Sequence, residues 1–262
     1  MMNKKNLGSL FLIALMVISA VGLSGCVEEK ATSKVIVGTS ADFPPFEMTD
    51  ADNNIIGFDI ELVTKILTDA GYTVEVQDID FNSLIASLNS NKIDVIAAAL
   101  TITPERDEQI DFSNPYFDAD QSVLIRTDSG LVINSTADMA NLTVGAQLGT
   151  TGEAWIDENL VTTGLISEAD YHPYDLYTLA VTDLLNGNLD AVVIDQPVAK
   201  VFAGNENLMI VLNIVTNEQY GFGVRTGDTT LQGVLNQGLA SLIGTEYFTN
   251  LSTTYFEEYT ID

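Results

Sequence analysis

The chain is short of cations and of the side chains that carry most catalytic and metal chemistry. Of its 262 residues, 10 are Lys or Arg and 37 are Asp or Glu, a formal net charge of −27. That surface excludes nucleic acid and an anionic lipid face as partners, because phosphate groups are held by basic patches. It does not define an acidic function, since a merely solvated surface has the same composition. One Cys, Cys26, rules out a disulfide framework and a thiolate metal site. The one His, His172 in "DYHPYD", is expected in a surface loop. Metal-ligand spacings, a serine elbow and a phosphate loop are all missing from the sequence, so no metal and no cofactor are expected. The one Trp, Trp155, reads as a packing residue of its helix.

What is present begins at the N-terminus. Lys4 and Lys5 precede an apolar run from Leu7 to Leu23, followed by "LSGC". A basic stretch, an apolar stretch and small residues before a cut make a secretory signal over residues 1–25. "LSGC" ending at Cys26 resembles the lipobox of lipoproteins, in which cleavage leaves the Cys as a lipid-bearing N-terminus; an uncleaved membrane anchor is the alternative. Both readings place the remainder outside the cytoplasm, tethered to the outer face of a membrane. Residues 26–33 read as a polar tether. The sequons at Asn134, Asn141 and Asn250 are open to glycosylation only in a host that performs it.

From Lys34 onward, strands and helices alternate. "KVIVGT" reads as a strand and "FDIELVTKILTDAG" as a helix, with Phe58, Leu62, Val63, Ile66, Leu67 and Ala70 on one face. Gly71 suits the end of that helix. "TVEVQ" is a strand, Phe81, Leu84, Ile85 and Leu88 mark a second helix, and "KIDVIAAAL" reads as a strand buried on both faces. This order predicts a mainly parallel sheet with helices on both faces. The rhythm repeats through "SVLIR", "LTVGAQ", "DAVVID" and "LMIVLNIV", with no sequence repeat between the halves. Two α/β lobes of similar size follow, and a bilobed protein places its ligand site in the cleft.

Ligands gather beyond the carboxyl ends of such strands. In "TITPER", Thr103 is a good N-cap, Pro104 fits the first helical position, and Arg106 falls at the third. A cation near a helix start is disfavoured by the dipole, and a bound carboxylate would compensate for it. Thr101 adds a hydroxyl to the patch. The alternative is a surface arginine paired with Asp107 or Asp111. "GTTGE" forms a second strand-to-helix turn, with Thr150 and Thr151 as candidate caps, and "DAVVID" ends on Asp195. Arg106 for a carboxylate and Asp195 for an ammonium would together recognise a zwitterion. Phe43 and Phe46, on the "FPPF" turn, read either as aromatic faces at the cleft or as ordinary core. Asp59 is expected to fix a helix start, and Asp111 to hold the turn before the crossing between lobes.

The segments "GTSADFPPFEMTDADNNIIGFDIELVTKI", "FNSLIASLNSNKIDVIAAALTITPERDEQIDFSNPYF", "VGAQLGTTGEAW", "LLNGNLDAVVID" and "QYGFGVR" resemble, in order, the signature segments of family 3 extracellular solute-binding proteins, the amino-acid receptors of ABC importers. The resemblance runs from about Lys34 to Phe256. It implies a type II periplasmic-binding-protein fold: two α/β lobes joined by two hinge crossings, closing on a ligand in the cleft between them. Lobe 1 would take residues 34–118 and 221–262, and lobe 2 residues 119–220. By position, Arg106 and Thr101 would bind the ligand's carboxylate with the Thr151 amide. Asp195 would take the ammonium with the Ala99 carbonyl, Phe43 and Phe81 would flank the side chain, and Gln147 and Ser40 would read its tip. Members that bind basic or amide amino acids often carry an acid at the position of Ser40, and Asp42 is expected to point elsewhere. A neutral polar or amide L-amino acid is therefore expected. The implied partner is a permease and the implied state a monomer. The alternative is an enzyme of the same fold, resembling the cyclohexadienyl dehydratases, which would need a further acid or base in the cleft.

Overall fold

Each half of the chain condenses around its own five-stranded sheet. The computed structural model describes residues 33–258, so the signal, the tether and Cys26 lie outside the described residues. The first sheet runs in the order Thr73–Asp78, Lys34–Thr39, Val95–Ile96, Gly223–Val224, Asp111–Phe112. Its first three strands are parallel, and Gly223–Val224 is antiparallel to both neighbours. The second runs Tyr171–Tyr174, Val144–Gln147, Ala191–Asp195, Phe117–Arg126, Leu208–Tyr220. There again three strands are parallel, and Phe117–Arg126 is antiparallel to both its neighbours. The expected parallel core is therefore present, but each sheet is mixed. The reason is connectivity: Phe117–Arg126 carries the chain out of the first half and Leu208–Tyr220 brings it back, so the two strands oppose each other.

The amphipathic helix Phe58–Asp69 buries Phe58, Leu62, Val63, Ile66 and Leu67, as its periodicity predicts, while Ala70 is exposed beyond its end. Each such side chain contributes about 1.5–3 kcal/mol of apolar transfer. Gly71 follows in the left-handed region at φ +89°. A three-strand ribbon, Asp42–Phe43, Glu47–Thr49 and Ile55–Ile56, lies between the first strand and this helix. It delivers Phe46 to the crossing, where its ring meets Phe117 at 5.0 Å and Tyr220 at 5.2 Å. Those two residues pair with each other across the exchange between halves. The returning strand loses register between Ile214 and Glu218, where Asn217 takes φ +54°. Asp120 accepts the freed Thr216 and Asn217 amides at 2.8 and 2.9 Å.

Several expectations need correction. "KIDVIAAAL" gives only a two-residue ladder, Val95–Ile96; the residues after it, 97–100, are buried but leave the sheet, and Ala98 and Ala99 among them border a cavity. The second helix begins as a 3₁₀ turn, Phe81–Ser83, before Leu84–Asn89. "YHPY" is an edge strand, not a loop, although His172 on it is exposed. Asp59 caps no helix: it is fully buried and accepts from the Ala99 amide at 2.8 Å and the Tyr116 hydroxyl at 2.5 Å. Asp111 holds the Gly227 amide at 2.8 Å. Trp155 packs against the core of the second half, as expected.

Candidate ligand-binding site

The "TITPER" turn builds the first wall. The Thr103 hydroxyl accepts the Arg106 amide at 3.3 Å and Pro104 opens the helix, but the helix is a single turn, Pro104–Asp107. So short an element has little dipole, and the unfavourable placing of Arg106 is correspondingly mild. Arg106 is not a surface arginine paired with Asp107 or Asp111. Its side chain is buried, with Nη1 donating to the Thr101 carbonyl at 2.7 Å and Nη2 to the Gly149 carbonyl at 2.9 Å. Its guanidinium lies 5.4 Å from the centre of the Phe81 ring, within reach of the ring's negative face. Burial pulls its pKa down, opposed by the charges of Asp195 and Glu218. Three of its five N–H donors remain for a ligand.

The second wall comes from the other half. Thr150 caps the helix Thr151–Ile156 by accepting the Glu153 amide at 3.1 Å, and it donates to the Gln147 carbonyl at 2.7 Å. Thr151 is therefore the first helical residue, and Thr150 the cap. Asp195, buried at the end of its strand, accepts from the Gln121 amide at 2.9 Å and from the Tyr220 hydroxyl. Burial first, and then the nearby Glu218 carboxylate, push the Asp195 pKa up to about 7. A carboxylate held this way gains from a cation that replaces the lost water.

All nine residues assigned to the site from the sequence border one small cavity: Ser40, Phe43, Phe81, Ala99, Thr101, Arg106, Gln147, Thr151 and Asp195. Thr150 and Ala98 complete it. Ala99 takes φ +45°, a left-handed conformation costly for a residue with a Cβ, and its amide is pinned by Asp59. Phe43 is buried, with its ring 5.4 Å from that of Tyr177. On the far side of Arg106 an open groove is bordered by Asn82, Ile85, Ala154 and Glu158.

Three groups around the cavity were not assigned to it by sequence. Glu218 sits behind Thr101 and Thr151 and accepts their hydroxyls at 2.9 and 2.7 Å. Gln121 links it to Asp195, donating to both at 3.2 and 2.9 Å. In "TNEQY" nothing distinguishes Glu218 from 36 other acids, so no local signal could have found it. Asp42 does not point elsewhere. It is buried and accepts from the Ser40 hydroxyl at 3.0 Å and the Tyr177 amide at 2.6 Å, with Gln147 Nε2 at 3.4 Å. Among the described residues no group of His, Cys, Asp and Glu could hold a metal ion.

Residues 35–258 match the bacterial extracellular solute-binding proteins, family 3. The chain belongs to that family. Among relatives of this solute-binding protein, the arginine-binding extracellular protein ArtP of Bacillus subtilis (strain 168) is 40% identical over 192 residues, 73% of this chain and 72% of that one. The ABC transporter arginine-binding protein 1 of Escherichia coli (strain K12) is 30% identical over 249 residues, 93% of this chain and 99% of that one. Among solved structures, a mutant of ArgBP from T. maritima superposes with a TM-score of 0.79 at 38% identity, covering 86% of this chain and 95% of that one. The ancestral amino acid-binding protein AncCDT-1, described as a precursor of cyclohexadienyl dehydratase, does so with 0.79 at 31%, covering 86% and 96%. The type II periplasmic-binding-protein fold and the amino-acid-binding class follow from family and structure together. Among the described residues no helix is long and apolar enough to cross a membrane.

Proposed function

We propose that this protein captures one polar L-amino acid between two closing lobes and delivers it to the permease of an ABC importer. The observation that carries the reading is the pairing of Arg106 and Asp195 on opposite walls of one buried cavity. A guanidinium fork suits the ligand's carboxylate, and a carboxylate starved of water suits its ammonium. Phe43 and Phe81 flank the side chain, the Thr151 amide adds to the carboxylate end, where Thr101 can donate its hydroxyl only by releasing Glu218, the Ala99 carbonyl adds to the ammonium end, and Ser40 and Gln147 meet the tip. Residues 34–118 with 221–262 form one lobe and 119–220 the other, a division supported by the two sheets and the paired crossing strands. Arg106 reaching the Gly149 carbonyl is a contact that closure makes.

The ligand's side chain carries a hydrogen-bond donor at its tip. A neutral Ser40 favours an uncharged side chain; Asp42 behind it, and relatives named as arginine-binding, favour a basic one. We place arginine first. The dehydratase reading draws on AncCDT-1, but Asp195 is committed to the ammonium, Glu218 and Asp42 stand behind the lining residues and are tied to their hydroxyls, and His172 is on an exposed edge strand away from the cavity lining. A lipid on Cys26 holds the protein at the outer face of the membrane, where it acts as a monomer. Calorimetric titration of the purified protein against the amino acids tests the receptor reading: one basic or amide L-amino acid should saturate a single site, and no heat with any would defeat it. Cys26→Ser should release the protein into the surrounding medium; retention at the membrane would defeat the lipid tether.

A further inference from the structure

The two residues that meet the ligand's tip have already given away their hydrogens. The Ser40 hydroxyl has one proton, and it is directed at Asp42 Oδ1, 3.0 Å away. Gln147 has two protons on Nε2: one goes to the Asp175 carbonyl at 2.8 Å, and the other faces the Asp42 carboxylate, both of whose oxygens lie at 3.4 Å. What each has left for the cavity is an acceptor, the lone pairs of Ser40 Oγ and of Gln147 Oε1, for which no described residue donates a hydrogen bond. Asp42 is itself held from the other side by the Tyr177 amide at 2.6 Å, so it cannot turn away.

Charge points the same way. Around the cavity stand three carboxylates: Asp195 in its wall, Glu218 behind Thr101 and Thr151, and Asp42 behind Ser40 and Gln147. One guanidinium, Arg106, faces them. The backbone ends of an amino acid add no net charge, so a cationic side chain reduces this negative excess and a neutral one leaves it whole. Burial raises the pKa of Asp42 to about 6, which leaves it mainly ionised at neutral pH.

The geometry points to Asp42 as the selectivity residue of this receptor: by taking the protons of Ser40 and Gln147 it turns the tip of the cavity into an acceptor surface with a negative charge behind it, which selects a guanidinium or ammonium side chain over an amide and rejects a carboxylate. The inference rests on the amino-acid-receptor reading. Rejection follows because an acidic ligand would set its oxygens against lone pairs, and an amide would satisfy the acceptors without matching the charge.

The test is calorimetric titration of the wild type, Asp42→Asn and Gln147→Met with L-arginine, L-lysine, L-glutamine and L-glutamate. The wild type should bind arginine or lysine at least about tenfold more tightly than glutamine, with no measurable heat from glutamate. Asp42→Asn should lower affinity for the basic amino acids by about tenfold or more while glutamine changes by less than about threefold. If Asp42→Asn does not fold, as judged by circular dichroism, Gln147→Met still removes one tip acceptor and should shrink the same preference. A wild type that binds amino acids but prefers glutamine or glutamate, or a basic preference unmoved in every folded variant, overturns the inference and leaves the receptor reading standing. A wild type that binds no amino acid overturns both.

Discussion

At the scale of single residues, the proposed function divides the work of recognition between Arg106 and Asp195. Replacing Arg106 with Ala removes the carboxylate fork and strands two backbone carbonyls, those of Thr101 and Gly149. Affinity should fall by about a hundredfold or more, while the protein still folds with a stability loss of about 1–3 kcal/mol. Titration calorimetry and thermal unfolding check the two parts. Asp195 gives a pH signature. Burial and Glu218 hold its pKa near 7, so in the free protein it is largely protonated at pH 6 and largely ionised at pH 8. An ammonium needs the ionised form, so affinity should weaken by about tenfold between pH 8 and pH 6, with protons released on binding. Affinities measured across that range, with buffers of different ionisation heat, report both effects.

At the scale of elements, the site depends on how short segments begin and end. The Thr103 cap sets the turn that aims Arg106. Thr103→Ala should cost about 1 kcal/mol, a fall in Tm of about 2–4 °C, and weaken binding as Arg106 loses its pose. Gly57, at φ +138°, precedes the helix Phe58–Asp69, and a Cβ there would overlap the Phe46 carbonyl. Gly57→Ala should therefore destabilise the protein by about 3 kcal/mol in denaturant unfolding. Local signals made much of this legible. The Thr-Pro start of the Arg106 turn, the Phe58–Asp69 face and the strand ending on Asp195 all follow from nearest neighbours in sequence. What sequence could not show was set at a distance. Asp59 reaches 40 residues on to pin Ala99, Glu218 crosses 117 residues to Thr101, and Asp42 spans 135 to Tyr177. "KIDVIAAAL" has the composition of a buried strand, but only a partner's register decides that its second half leaves the sheet.

At the scale of the whole molecule, an acid-rich chain has placed several carboxyl groups inside itself. Asp59 is fully buried with its pKa raised by that burial to about 7. Glu47 is buried with neither oxygen partnered among the described residues, and burial, reinforced by Asp59, Asp42 and Asp195, pushes its pKa well above the usual range. Both groups bind protons more tightly folded than unfolded. The contribution of Asp59 to stability is therefore complete below about pH 4 and is lost as pH rises toward and through 7, and that of Glu47 is likewise lost as pH rises. Asp59→Asn, which keeps an acceptor for Ala99 and Tyr116, should flatten that decline. Unfolding free energies from pH 4 to pH 8 measure it, and an unchanged slope in the variant would show that Asp59 is ionised throughout. The fold gathers these groups behind a cavity whose two walls come from different halves, and that arrangement is the basis of the claim to bind an amino acid by closure. The most direct test is a crystal structure of the protein grown with L-arginine. The ligand's carboxylate should lie on Arg106, its ammonium on Asp195 and its guanidinium against Ser40 and Gln147. Arginine lying instead in the open groove beside Asn82 and Ile85, or reversed between the two walls, would contradict it.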